Sequence, residues 1–212
     1  MLKLRGIHCK KVKNKKHIII TSLDMFLMGG IERSNCSMAK LFLSNGHKVS
    51  LISFFQNSSI PFFDFGDIPI VALCPRSFKS RSSLFNKFHV FFLFFSLMRK
   101  MKEVDEDYVL ISNFPSLSIL HSFFSRSAKN VIAFEHSGFA QHPKYVQLLR
   151  IFTYKKLKAV VTLTNHDCQI FKQAGVNCEV IPNFSKIKIC DFKEKKKRTN
   201  IDLCVCGKIS ST

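Results

Sequence analysis

The feature that most constrains the fold of this chain is a regular alternation of short apolar runs with amphipathic segments. The short runs are rich in Ile, Val and aromatic residues and suit buried strands, whereas the segments between them carry apolar residues at helical spacing. Strands that alternate with helices form the crossover units of a parallel sheet that is covered on both faces, so we predict an α/β protein. The predicted strands are residues 17–22, 48–54, 68–73, 107–112, 130–134, 159–164 and 178–181. The predicted helices are one that begins at Ile31 and others over 84–102, 116–125, 144–156 and 165–174.

Two adjacent glycines, Gly29 and Gly30, lie in the first crossover unit, where the loop after the first strand meets the next helix. The free N–H groups and the dipole of a helix N-terminus favour an anion, and residues without a Cβ let a ligand approach the backbone closely. The pair matches neither the dinucleotide-binding G-x-G-x-x-G pattern nor a P-loop with its lysine. Spacing alone leaves two interpretations open, a tight turn and an anion site.

The net charge of +19 is concentrated at the two ends of the chain. Residues 1–17 hold seven Lys/Arg and no acid, and residues 186–198 hold seven Lys/Arg against two acids. Segments of this kind are usually solvated arms, and we interpret residues 1–16 as a basic tail. The alternative is attraction to an anionic surface, either nucleic acid or the phospholipid headgroups of a cytoplasmic leaflet.

The eight cysteines form no C-x-x-C pair and no zinc-binding spacing. The basic amino terminus is followed by an apolar run that is too short for a signal peptide. We therefore expect reduced thiols in a cytoplasmic protein, mostly buried as small apolar residues, and we predict no metal site and no cofactor.

The segment 88–98, FHVFFLFFSLM, allows two interpretations. It is much shorter than the roughly 20 residues that span a bilayer. A basic helix with a large aromatic face can lie in a membrane interface, but a continuous Phe run favours a core helix with one Phe-rich face exposed. The basic residues that we assign to a membrane-facing surface are Arg76, Lys79, Arg81, Arg99, Lys100 and Lys102.

Four motifs resemble, in order and spacing, the amino-terminal half of the family 4 glycosyltransferases, which are retaining enzymes of GT-B fold. They are MGGIERSNCSMAKLFLSNGHKVSLISF, VIAFEHSGF, LKAVVTLTNHDCQIFKQAGVNCEVIPNF and NIDLCVCGKIS, and the resemblance covers roughly residues 16–210. It implies a Rossmann-like domain over residues 17–184 that holds the acceptor side of the cleft. It further implies a charged linker over 185–199 and the first strand of a truncated donor-binding domain over 200–212.

The resemblance also assigns roles to individual residues. It implies that Gly29 and Gly30 face the cleft beside the donor diphosphate and the acceptor, and that His136 is the cleft histidine that hydrogen-bonds the transferred sugar. Glu135 is a second candidate beside it, and Lys208 stands where the family often has Arg. Glu32 begins the helix after the glycines, where its charge also complements the helix dipole.

The leading hypothesis is a transferase that moves a hexose from a nucleotide sugar to a glycan or lipid-linked acceptor in cell-envelope polysaccharide biosynthesis. It would act in the cytoplasm, peripherally on the inner face of the cytoplasmic membrane and its anionic surface. A nucleic-acid-binding protein is supported by charge alone, and since no recognition motif is present we expect no nucleic-acid partner. The third hypothesis is a non-catalytic remnant of such an enzyme. The order of the motifs does not distinguish it from the active transferase. In the family, the donor-binding domain supplies a basic pair and a Glu-x7-Glu element, so we expect these 212 residues alone to transfer no sugar at a useful rate.

Overall fold

The computed structural model of the protein describes residues 15–76, 84–101, 107–124, 126 and 128–182, with the backbone alone at 84–87 and 100. Its strands are β1 (His17–Asp24), β2 (Lys48–Phe55), β3 (Ile70–Ala72), β4 (Tyr108–Ser112), β5 (Val131–Glu135), β6 (Ala159–Thr162) and β7 (Cys178–Val180). Its helices are α1 (Gly30–Ser44), α2 (Leu84–Met101), α3 (Pro115–Phe124), α4 (Lys144–Thr153) and α5 (Asn165–Gln173). The predicted alternation of strands and helices is therefore confirmed.

The strands form one parallel sheet in the order β3-β2-β1-β4-β5-β6-β7. From β1 near the middle of the sheet, the chain winds outward through β2 to β3 and then returns to place β4 on the other side of β1. The direction of winding therefore reverses between β1 and β4. In open α/β sheets, the crevice outside the carboxyl ends of the strands at such a reversal is where ligands bind.

Each face of the sheet has its own hydrophobic core, because successive side chains of a strand point to opposite faces. Ile18 and Ile20 of β1 pack with Cys36 and Ala39 of α1 on one face. Ile19 packs on the other face, where the buried residues include Phe94 of α2, Leu117 of α3 and Phe171 of α5. The fold is a Rossmann-like α/β domain with helices on both faces, as predicted.

The ends of several elements differ from the prediction for local reasons. β1 continues through Asp24, two residues beyond the predicted end. β6 ends at Thr162 rather than residue 164, since Thr164 is the N-cap of α5 and its hydroxyl accepts a hydrogen bond from the backbone N–H of Asp167 at 3.2 Å. The predicted tail, the linker over 185–199 and the strand at 200–212 lie outside the described residues.

The Phe-rich helix α2 is a core helix with one exposed aromatic face. Phe94 and Leu97 are fully buried against the sheet, whereas Phe88 and Phe92 are 65% and 70% exposed. No helix in the described part of the chain is long and apolar enough to cross a membrane. The four cysteines among these residues, Cys36, Cys74, Cys168 and Cys178, are buried free thiols.

Candidate active site

An open pocket of about 330 Å³ lies at the carboxyl ends of β1 and β4, at the point where the winding of the sheet reverses. Its walls come from the loop after β1, the first turn of α1 and the residue before α3. The lining residues are Leu23, Asp24, Leu27, Met28, Gly29, Gly30, Ile31, Glu32 and Phe114. Three of the residues predicted for the site, Gly29, Gly30 and Glu32, are therefore neighbours in one pocket.

The two glycines have different surroundings. Gly29 is the N-cap of α1 in an extended conformation, and a Cβ there would overlap the carboxylate of Glu32. A Cβ at Gly30 would meet no atom within 4 Å, so its open side is free for a ligand. Gly29 therefore serves the packing of the helix start, and Gly30 is the better candidate for backbone contact with a ligand.

Glu32 is buried and its side chain folds back toward Gly29 at the beginning of α1. A carboxylate in the first turn of a helix complements the dipole and the amides that lack intrahelical partners. This placement favours a structural role for Glu32 at the pocket wall.

His136 follows β5 and lies at the same carboxyl edge of the sheet as the glycine pair. Its Nε2 is 2.9 Å from Oδ1 of Asn113, the residue before the pocket residue Phe114. Its ring stacks on Phe134 with the centroids 4.7 Å apart. Burial lowers the pKa of His136 to about 4, so the imidazole is neutral at physiological pH.

Glu135, the other site candidate on this strand, lies inside the fold. Its carboxylate accepts hydrogen bonds from Arg150 Nη2 at 2.8 Å and from the Tyr154 hydroxyl at 2.5 Å, and all three side chains are buried. Burial raises the pKa of Glu135, while Arg150 and the hydrogen bond from Tyr154 oppose the rise. Since both oxygens are engaged by protein donors, the geometry favours a structural role rather than ligand contact.

Asp24 is a pocket residue that the sequence did not single out. Its Oδ1 accepts a hydrogen bond from the backbone N–H of Phe26 at 2.9 Å, and its Oδ2 is buried. Burial raises the pKa of this carboxyl group, while hydrogen bonding from the backbone N–H groups of Phe26 and Asn57 opposes the rise. The only signal in the sequence was an acidic residue at the end of an apolar strand.

The remaining candidates are spread outside this pocket. Arg76 and Arg99 are exposed. Lys79, Arg81, Lys102 and Lys208, together with the side chain of Lys100, lie outside the described residues. Among the described residues, no three His, Cys, Asp or Glu side chains converge as metal ligands.

Solved structures with the same fold include one protein determined in complex with UDP and glucose. HepE of Anabaena, in complex with UDP and glucose, superposes with a TM-score of 0.58 at 14% identity over 79% of this chain and 44% of that chain. HepE with UDP superposes at 0.56 and 15% identity, with the same coverage. A glycosyltransferase from Rickettsia africae ESF-5 gives a TM-score of 0.50 at 19% identity over 80% of this chain and 43% of that chain. At these identities the likeness concerns the fold alone, and this chain spans less than half the length of those proteins.

The fold defines the class of this protein: it is a Rossmann-like domain with a pocket at the point where the winding of the sheet reverses. Within that class, residues 28–185 match the family described as Glycosyltransferase Family 4. Because the match covers most of the chain, the protein belongs to this family. No curated protein matches the sequence.

Proposed function

We propose that this domain forms one wall of the active site of a retaining glycosyltransferase that transfers a hexose from a nucleotide sugar to a glycan or lipid-linked acceptor. The observation that carries the proposal is the pocket at the N-terminus of α1, with the open side of Gly30 in its wall. The complexes of HepE with UDP and glucose support a nucleotide-sugar donor. We assign the reaction to cell-envelope polysaccharide biosynthesis in the cytoplasm.

The pocket offers different groups to the two parts of a sugar nucleotide. The first amides of α1 have no intrahelical acceptors and, with the helix dipole, favour a phosphate oxygen near Gly30. The imidazole of His136, which lies beside the pocket at the same edge of the sheet, is suited to a sugar hydroxyl. In this arrangement the residues bind and orient the reactants, and orientation supplies a large part of the rate enhancement in group transfer.

Gly30→Ala should weaken the binding of UDP-glucose by about tenfold, since a methyl group forced against a close-packed ligand costs on the order of 1–3 kcal/mol. The fold should be unaffected, because the new Cβ meets no atom within 4 Å. Titration of the ¹⁵N-labelled chain with UDP-glucose measures the affinity and should shift the amides of Gly29, Gly30 and Phe114.

Ser37→Ala is the matched control, since Ser37 is exposed two turns further along α1 and its hydroxyl donates a hydrogen bond to the Arg33 carbonyl oxygen. The control should bind as the unchanged chain does. If UDP-glucose shifts amides elsewhere, or binds Gly30→Ala equally well, the proposed site is wrong.

We also propose that the exposed side of α2 holds the domain on an anionic membrane, near a lipid-linked acceptor. This α2 face consists of Phe88, Phe91, Phe92, Phe95 and Arg99, whose spacing places them opposite the buried side of the helix. Aromatic side chains beside a cation suit the boundary between headgroups and acyl chains. As a crossover helix, α2 begins at the carboxyl edge of the sheet, where the pocket also lies.

A variant carrying Phe92→Ser and Arg99→Gln should lose most of its binding to vesicles that contain anionic lipid, because it removes both apolar and electrostatic contact from the α2 face. Binding of the unchanged chain should weaken with added salt, since exposed charges are screened beyond about 8 Å at physiological ionic strength. Co-sedimentation with anionic and with neutral vesicles measures both effects.

Phe62→Ser is the control for this experiment, because Phe62 is 60% exposed in the loop that covers the opposite face of the sheet. It should sediment like the unchanged chain. If the α2 variant still binds while deletion of residues 1–16 abolishes binding, the basic tail is the anchor and the α2 proposal fails.

A further inference from the structure

Three distant segments of the chain meet at Asn113, a buried residue at the end of β4. Its side-chain Nδ2 lies 3.1 Å from the backbone oxygen of Thr21 in β1 and 2.9 Å from Oδ1 of Asn35 in α1. Its Oδ1 lies 2.9 Å from Nε2 of His136 after β5. The side chain of Asn113 therefore joins the candidate cleft histidine to the central strand and to the helix that begins at Gly30.

The orientation of the Asn113 amide follows from its partner in β1. A backbone carbonyl oxygen only accepts hydrogen bonds, so the amide atom that faces Thr21 must be the NH₂ group. The reverse orientation would bring two oxygens together in a buried site. Asn35 is held as well, because its own Nδ2 is directed at Met25 Sδ, a weak acceptor, at 3.5 Å and leaves Oδ1 for Asn113.

This orientation determines which nitrogen of His136 carries the proton. Since Oδ1 of Asn113 only accepts, Nε2 must donate, and a neutral imidazole with its proton on Nε2 has a lone pair on Nδ1. Nδ1 has no hydrogen-bond partner among the described residues, and His136 is only partly buried. The stacked ring of Phe134 limits the plane of the imidazole.

We infer that Asn113 is a positioning residue that holds His136 in the Nε2–H tautomer, so that His136 presents a hydrogen-bond acceptor to its ligand. The ligand group at Nδ1 must then be a donor, such as a sugar hydroxyl, and not a phosphate or carbonyl oxygen. Naming that group a sugar hydroxyl rests on the proposed function; the tautomer itself does not. The same geometry excludes neutral His136 as a proton donor to a leaving group through Nδ1.

The test is a long-range ¹H–¹⁵N correlation spectrum of the uniformly ¹⁵N-labelled full chain without ligand, recorded at pH 7.5. For His136 we expect Nε2 in the range of a protonated nitrogen and Nδ1 in the range of an unprotonated one. The Nε2–H form should exceed the other by at least about tenfold, equal to about 1.4 kcal/mol. A protonated Nδ1 would overturn the inference without the need for any variant.

Asn113→Ala then tests the cause. It removes the acceptor, so the two nitrogens of His136 should move toward averaged shifts, while His142, whose Nε2 pairs with the Ser137 hydroxyl, should keep its spectrum. An unchanged His136 spectrum in a folded Asn113→Ala chain would show that Asn113 does not hold the tautomer.

Glucose and sulfate, an anion that carries no hydroxyl group at this pH, are then added separately to the labelled chain. Glucose should shift Nδ1 of His136 and sulfate should not; a shift of Nδ1 with sulfate alone would contradict the acceptor role. Failure of UDP-glucose to bind the pocket would instead count against the proposed function, while the tautomer of the free chain would stand.

Discussion

Replacing Arg150 by Met should lower the free energy of unfolding by about 3–5 kcal/mol, the usual cost of leaving one partner of a buried ion pair alone. The guanidinium is fully buried, donates to Glu135 at 2.8 Å, and lies over the rings of Phe139 and Phe171 at 5.1 and 5.2 Å. Without Arg150, the carboxylate of Glu135 keeps only the Tyr154 hydroxyl as a donor among the contacts observed here. Urea denaturation monitored by circular dichroism gives the change in unfolding free energy.

The double variant Arg150→Met with Glu135→Gln separates charge from packing. The amide oxygen of Gln accepts a hydrogen bond from the Tyr154 hydroxyl and carries no net charge. The double variant therefore leaves no unpaired buried charge and should be more stable than Arg150→Met alone. If the two variants are equally unstable, the loss arises from the packing of Arg150 on the aromatic rings and the ion pair contributes little. Because Glu135 precedes His136, the double variant also shows whether the conformation at the end of β5 depends on the ion pair between Glu135 and Arg150.

Replacing His121 by Leu should raise the free energy of unfolding by about 1–3 kcal/mol at pH 7, the cost attributed to buried polar groups without partners. His121 of α3 is fully buried against Phe94, with the ring centroids 4.9 Å apart. Neither of its ring nitrogens has a hydrogen-bond partner among the described residues. Leu fills a similar volume without a polar atom, so the variant avoids the free-energy cost of burying an imidazole without hydrogen-bond partners.

The gain from His121→Leu should grow as the pH falls. Burial lowers the pKa of His121 to about 3 in the folded chain, compared with the ordinary histidine pKa of 6.5 in an unfolded one. Between these values the unfolded state binds more protons, so the stability of the unchanged chain is full above pH 6.5 and decreases as the pH falls toward 3. His136, with its pKa lowered to about 4, adds to the same trend and remains in the variant.

Urea denaturation at pH 7.5 and at pH 5 measures this difference. His166→Leu is the control, since His166 is exposed on α5 and its replacement should leave the stability nearly unchanged. If His121→Leu is less stable than the unchanged chain at both pH values, His121 makes stabilising hydrogen bonds and the prediction is wrong.

Local patterns were sufficient for the fold and for the edge of the sheet where the candidate site lies. A strand such as β4 or β6 is a short apolar run, whereas a helix such as α1 repeats its apolar residues every three to four positions. Residues that are close in the sequence are therefore enough to predict each element. Once all strands are parallel, their carboxyl ends share one edge. Gly30 and His136, which both follow strands, had to lie at that edge.

The roles of individual polar residues depended on contacts between elements that are far apart in the chain. Arg150 reads as a surface cation near the end of an amphipathic helix, yet it is buried on Glu135, which the motif alone suggested as a ligand-binding residue. Asn35 lies within the first motif and Asn113 within none of the four, and 78 positions separate them, but they meet beneath His136. The period of the apolar residues predicts which face of an element is buried. The partner of a buried polar group depends on which side chains the packed elements bring together, and only the folded structure shows this.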